Sequence, residues 1–170
     1  MAVNYQFSQL PLGEILIASD GAGICYLGFT DNDRESMLVD MKRYVCMKEN
    51  DCIEQEDIHI RKALAGLANK SSLENYALSL YGTEFQREVW LFLQQCPFGS
   101  TMTYKEVATA LGKPKAVRAV ASAIGKNRIA ILIPCHRIVR TTGQLAGYRW
   151  GLERKKALLE EETIRLKSNK

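Results

Sequence analysis

The apolar positions of this chain change their period along its length. Residues 13–19, GEILIAS, and 22–29, AGICYLGF, are short β-rich runs with DGAG between them, so a hairpin is expected. Further on, Met37, Leu38, Met41, Tyr44 and Val45 repeat at helical spacing, as do Ile60, Ala63, Leu64 and Leu67. YALSLYG, 76–82, reads as a returning strand. NKSSLEN, 69–75, is the linker candidate, with a boundary near Gly82.

After that boundary the pattern is helical. Thr83 and Gln86 form a capping box ahead of Phe85, Val89, Phe92 and Leu93 on one face. CPFGST is a loop. Thr103 and Glu106 form a second capping box, opening TYKEVATALG with Tyr104, Val107, Ala108 and Leu111 along one side. GKP breaks that helix, and Pro114 suits the first position of the next, PKAVRAVASAIGKN. Two short helices joined by a Gly-containing turn are a helix-turn-helix pattern. In the last helix, GLERKKALLEEETIRL, Leu152, Leu159 and Leu166 mark the expected buried side. The fold class expected is an α/β N-terminal domain, residues 1–80, built on a small antiparallel sheet with helices. A mainly α C-terminal domain, 81–170, follows, with a winged-helix-like helix-turn-helix.

Composition narrows the partners. The chain has 170 residues, 46% hydrophobic, which suffices for one ordinary domain or two small ones. No apolar run approaches the ~18 residues of a membrane span. MAVNYQFSQLPLG has neither the basic start nor the apolar core of a signal peptide. Five cysteines without C-x-x-C, and two histidines, His59 and His136, argue against zinc and for a reducing compartment. A cytoplasmic monomer is expected, nuclear in a eukaryote. Cys25, Cys46 and Cys52 read as small buried hydrophobes. Residues 1–82 hold 7 Lys/Arg and 12 Asp/Glu, and residues 83–170 hold 16 and 7, so a net of −5 precedes a net of +9. A polyanion facing the second half would explain this, as would a solvated surface with a chance imbalance.

Candidate chemistry gathers in ILIPCHRIV, 131–139. Neighbouring side chains in a strand point to opposite faces, so Cys135 and His136 could not cooperate there. Pro134 ends the apparent strand, and a turn at the pair would bring thiol and imidazole to one side. A carboxylate behind the imidazole would set its tautomer. The choices are Glu153, Glu160, Glu161 and Glu162. Glu162, three after Leu159 and four before Leu166, lies on the expected buried side, and Glu160 and Glu161 point more outward. Separately, Cys135 reads equally as an inert core cysteine and His136 as a structural histidine. Together, behind proline and beside Arg137 and Arg140, they point to function. TTGQLAGYRWG, 141–151, adds glycines for close approach and Tyr148 and Trp150 as stacking surfaces, or else as loop anchors.

The second helix of the helix-turn-helix is unusual for a base reader. AVRAVASAI carries small side chains and one long cation, Arg118. It fits either an Ala-rich core helix or a helix that approaches a narrow groove with Arg118 as a wedge.

IPCHRIV, with KPKAVRAVASAIGKN upstream and GYRWGLERKKALLEEE downstream, resembles the O6-alkylguanine-DNA alkyltransferases from about Gly82 to Glu162. That resemblance implies repair of double-stranded DNA containing alkylated guanine, by one irreversible transfer of the alkyl group to the protein's own cysteine. O4-alkylthymine is a possible second substrate, and no metal or cofactor is implied. Cys135 would be the acceptor and His136 its base through a bridging water, oriented by Glu162. Asn127 would hold the turn before the active-site loop. Tyr104 would help rotate the nucleotide and serve the leaving guanine. Arg118 would fill the gap in the stack, with Tyr104, Lys115, Ala119 and Ser122 on the DNA face. Ile138, Tyr148, Arg149 and Trp150 would form the base pocket. Trp150 stands where some relatives have glycine, so a tighter pocket preferring methyl is expected. The chain has no cysteine-rich zinc-binding segment, and transcriptional control by self-methylation is not expected. Two other readings remain at this point: a helix-turn-helix regulator without chemistry, and a cysteine hydrolase, for which no oxyanion-hole motif is visible.

Overall fold

A computed structural model describes residues 2–45, 51–69, 76–145 and 147–168. Most of NKSSLEN, together with Cys46, lies outside them. The chain divides into two compact units, Met1–Tyr81 with Arg128–Leu132, and Gly82–Asn127 with Ile133–Lys170.

In the first unit, β1 (Val3–Leu10), β2 (Gly13–Ser19) and β3 (Ile24–Phe29) form an antiparallel meander. The expected hairpin is β2–β3. β1 was not foreseen, and β4 (Cys52–Glu54) joins it in parallel, so the sheet is mixed, in the order β3-β2-β1-β4. Consecutive residues of β2 and β3 are buried, the pattern of strands covered on both faces. α1 (Arg34–Tyr44) packs on β2 and β3, and α2 (Ile58–Ala68) on β1 to β3. Asp33 and Asp57 cap the two helices by accepting from Ser36 N and Ile60 N. Cys25 is in the core, whereas Cys52 is only partly buried.

Two expectations change here. YALSLYG makes a single bridge, Leu78 to Ile24, and no strand. The segment 128–132, expected in the second domain, belongs to the first unit. Leu27 N donates to Arg128 O at 2.8 Å, and Ala130 N donates to Leu27 O at 2.9 Å. Arg128 Nε reaches Asp40 Oδ2 at 3.1 Å, and the Tyr26 hydroxyl donates to the same oxygen at 2.8 Å. Ile129 and Ala130 are fully buried, and the Ile129–Leu27 bridge covers the part of the outer edge of β3 beyond the Leu78–Ile24 bridge. ILI is therefore no strand. Ile131 has φ 69°, a left-handed conformation that strains a β-branched residue by roughly 1–3 kcal/mol.

The second unit contains α3 (Glu84–Leu93), α4 (Tyr104–Ala110), α5 (Val117–Gly125) and α6 (Leu152–Ser168). Both capping boxes are present, at Thr83/Gln86 and Thr103/Glu106. α5 packs on α3 and α4, and Trp90 Nε1 donates to Ala123 O at 2.8 Å. The short strands β5 (Met102–Thr103) and β6 (Ile138–Val139) pair in parallel, which ties the start of α4 to the chain just after Cys135. Pro114 does not open α5. It sits in the preceding turn, and the helix starts at Val117 after Ala116, which offers no side-chain cap. The heptad leucines of α6 are not its buried side: Leu152 and Leu166 are 49% and 40% exposed. Lys155, Leu158 and Glu162 face inward instead.

Candidate functional site

Cys135–Arg137 form one turn of 3₁₀ helix after Pro134. Cys135 N donates to Ile133 O at 2.7 Å and Arg137 N to Pro134 O at 3.0 Å. At three residues per turn, successive side chains diverge by about 120° instead of the near 180° of a strand. Pro134 thus precedes a turn, as the sequence pattern asked, although no strand precedes it.

Cys135 opens onto a cavity of about 370 Å³. Tyr104 from the first turn of α4, Ala121, Ile124 and Gly125 from α5, and Asn127 line it together with Gly147, Tyr148 and Arg149. Asn127 Nδ2 donates to Cys135 Sγ and to Ile133 O, each at 3.3 Å. Burial pushes the Cys135 thiol up from its ordinary value, while the Asn127 hydrogen bond and the Lys155 cation pull it down. Burial also raises Tyr104, and so does the neighbouring Cys135; Arg140 opposes both. Tyr148 is pushed well up by burial, and its hydroxyl is buried without a hydrogen-bond partner among the described residues.

Behind the thiol, His136 Nε2 lies 2.8 Å from Glu162 Oε1. Arg137 grips the same carboxylate, Nη2 to Oε1 at 2.8 Å and Nε to both oxygens at 3.0 and 3.1 Å. Gly99 N donates to Glu162 Oε2 at 3.3 Å from a backbone with φ 80°, where glycine is the favoured residue. Burial would raise the Glu162 carboxyl, but hydrogen bonds from His136 and Arg137 outweigh it and hold the group at about 2.

The residues expected at the site are distributed as follows. Cys135, Asn127, Tyr104, Tyr148 and Arg149 line one cavity, and His136 and Glu162 stand paired. Arg118, Ala119, Ser122 and Lys115 are exposed on α5 and the turn before it. Arg118 makes no ion pair or hydrogen bond among the described residues. Ile138 and Trp150 do not line this cavity. The Ile138 side chain is fully buried, because β6 pairs with β5. Trp150 is also buried, with the Arg149 guanidinium 5.2 Å from its ring centre.

Two groups escaped the sequence reading. Arg137 was noted only as a basic neighbour, and Lys155 was passed over. Lys155 is fully buried and donates from Nζ to Ile138 O at 2.5 Å. The signal was a spacing: positions 155, 158 and 162 are three and four apart on one helical face, and two of them are charged.

A cavity-lining cysteine, a paired histidine and carboxylate, and a helix-turn-helix with an exposed cationic edge stand together in the second unit. Comparison with known proteins identifies the family. A family model described as 6-O-methylguanine DNA methyltransferase, DNA binding domain, matches residues 84–164. The methylated-DNA–protein-cysteine methyltransferase of Methanosarcina acetivorans is 37% identical over 158 residues, which span 93% of this chain and 97% of that protein. The bifunctional transcriptional activator/DNA repair enzyme Ada of Escherichia coli is 41% identical over 165 residues, 95% of this chain and 46% of Ada. The chain thus spans about half the length of several curated relatives it matches. The structure of Mycobacterium tuberculosis OGT in complex with DNA superposes with a TM-score of 0.78 at 32% identity, covering 95% of this chain and 94% of that one. This chain belongs to the methylated-DNA–protein-cysteine methyltransferase family.

Proposed function

We propose that the chain repairs DNA by moving an alkyl group, chiefly methyl, from O6 of guanine to Cys135 Sγ, once per molecule. The observation that carries this is the placement of Cys135 at a base-sized cavity with Tyr104 and Asn127 beside it, next in sequence to a His136 that is paired with Glu162.

The target carbon of a guanine in a duplex is stacked and out of reach, so the nucleotide must leave the helix at a cost of a few kcal/mol. The exposed face of α5 carries small Ala119 and Ser122, which let its backbone approach the duplex. Arg118 fills the gap, while Lys115 contacts phosphate without reading sequence. In the cavity, the Cys135 thiol gives its proton to His136, directly or through water. The sulfur lone pair attacks the alkyl carbon, the S–C bond forms and the C–O6 bond breaks. The electron pair stays on the guanine, which takes a proton from Tyr104. The product is a thioether with no ready leaving group, so the protein is consumed.

The test is peptide mass spectrometry after mixing with DNA containing O6-methylguanine. One methyl on the Cys135 peptide, stoichiometric and absent in Cys135→Ala, is expected. Unchanged mass with sequence-selective DNA binding would favour a regulator, and turnover of an acyl substrate a hydrolase.

A further inference from the structure

The pairing behind the thiol carries an assignment that the alkyl-transfer reading leaves open, namely which nitrogen of His136 holds the proton. An ionised carboxylate only accepts hydrogen bonds, so the 2.8 Å contact to Glu162 Oε1 requires a hydrogen on His136 Nε2. Nδ1 is buried and has no hydrogen-bond partner among the described residues. A hydrogen on Nδ1 would meet no protein acceptor among the described residues. The neutral ring with hydrogen on Nε2 is therefore the form the site accommodates.

A lone buried carboxylate would work against that form, because its full charge favours imidazolium. Glu162 does not act alone. The Arg137 guanidinium makes three contacts to it, at 2.8, 3.0 and 3.1 Å, and is itself only 8% exposed. Arg137 Nη1 is anchored on Cys96 O at 2.7 Å, and its guanidinium lies 5.5 Å from the centre of the Phe98 ring, so the fork is held in place from the 96–98 loop. Lys155, on the same face of α6 as Glu162, adds a second buried cation.

We propose that Arg137 is a positioning residue for the base. By neutralising Glu162, it keeps His136 uncharged, with Nε2–H donated to the carboxylate and the Nδ1 lone pair available to the Cys135 proton. This rests on the alkyl-transfer reading only for its purpose. In the step itself, the thiol proton passes to Nδ1, the electron pair remains on sulfur, and Glu162 then balances the imidazolium just formed. A ring already protonated could not accept it. The charged and titratable groups around the ring agree with this assignment. Burial pushes His136 below its ordinary value, Glu162 pulls it up, and Arg137 and Lys155 push it down. Cys135, next in the chain, is uncharged until it gives up its proton.

The chain has two histidines, His59 and His136, so ¹⁵N NMR of the imidazole nitrogens in the full protein resolves both, with His59 as internal control. For the wild type, the expected result at pH 7 is a neutral His136 protonated on Nε2. In Arg137→Gln the His136 midpoint is expected to rise by about one unit, and Arg137→Lys, which keeps the charge, should restore most of it. Arg137→Met, which keeps an apolar stem, is the second route if Arg137→Gln does not fold. A wild-type ring protonated on Nδ1, or an unmoved midpoint in a folded Arg137→Gln or Arg137→Met, overturns the proposal. The titration needs no DNA. Absent methyl transfer with the titration as expected would therefore sink the alkyl-transfer reading alone, and normal transfer with an unmoved midpoint would sink only this one.

Discussion

Asn127 Nδ2 stands 3.3 Å from the sulfur of Cys135 and 3.3 Å from Ile133 O, so one amide spans the approach to the 3₁₀ turn and the thiol within it. The residue follows α5 directly and is 2% exposed. The helix that presents Arg118 is thereby linked, through one side chain, to the Cys135 sulfur.

Replacing Asn127 with Ala removes both bonds, while the Ile133 carbonyl keeps its bond from Cys135 N. A loss of about 0.5–1.5 kcal/mol in stability per lost bond is expected. The thiol, already pushed up by burial and deprived of its hydrogen bond, should become harder to ionise. Denaturant unfolding measures the first effect. The pH dependence of iodoacetamide labelling on the Cys135 peptide measures the second, and its midpoint should move to higher pH.

Glu162 sets an acid limit. Its carboxyl is lowered from 4.5 to about 2 in the folded chain, so its charge stabilises the fold fully above the unfolded value. That contribution, about 3 kcal/mol, is lost progressively as pH falls from the unfolded value toward the folded one. In Glu162→Gln the stability difference from wild type should be constant near neutrality and shrink below about pH 4.5. Thermal unfolding between pH 7 and pH 3 checks this, and a constant difference across the range would refute it.

Arg118 separates extrusion from chemistry. It is exposed and makes no ion pair among the described residues, so Arg118→Ala should leave stability within about 0.5 kcal/mol of wild type. Methyl transfer from duplex DNA should fall at least tenfold, whereas transfer from free O6-methylguanine should be spared. Equal loss on both substrates would count against the wedge.

Trp150 does not line the cavity, so any effect on substrate size must pass through its neighbours Tyr148 and Arg149, which do. Trp150→Gly removes a buried aromatic side chain and should cost about 3–5 kcal/mol. The loosened 147–149 wall should then accept O6-benzylguanine more readily relative to methyl. A wild-type protein that reacts faster with benzyl than methyl, unchanged by Trp150→Gly, would refute the expectation of a tight pocket.

Local features were legible because neighbouring residues decide them. Thr83 with Gln86 and Thr103 with Glu106 are capping boxes in any context that permits a helix, and the hairpin of GEILIAS and AGICYLGF follows from two β-rich runs and a turn signal. Pro134 before Cys135 and His136 announced the turn that follows it. Periodicity failed where it assumed that buried means apolar. On α6 it selected Leu152, Leu159 and Leu166, whereas the inward face is Lys155, Leu158 and Glu162.

The sequence by itself determined the helices, the hairpin and the motif; it pointed to Glu162, but through a leucine face that the fold leaves largely exposed. The tertiary structure alone decided that Glu162 is shared between His136 and Arg137, that Lys155 goes inside, and that 128–132 completes the sheet of the first unit. The reason is energetic. A charge is tolerated in the interior only when a partner distant in sequence arrives to offset its lost hydration, and a strand edge closes only when some other segment reaches it. Neither partner can be read from the residues on either side.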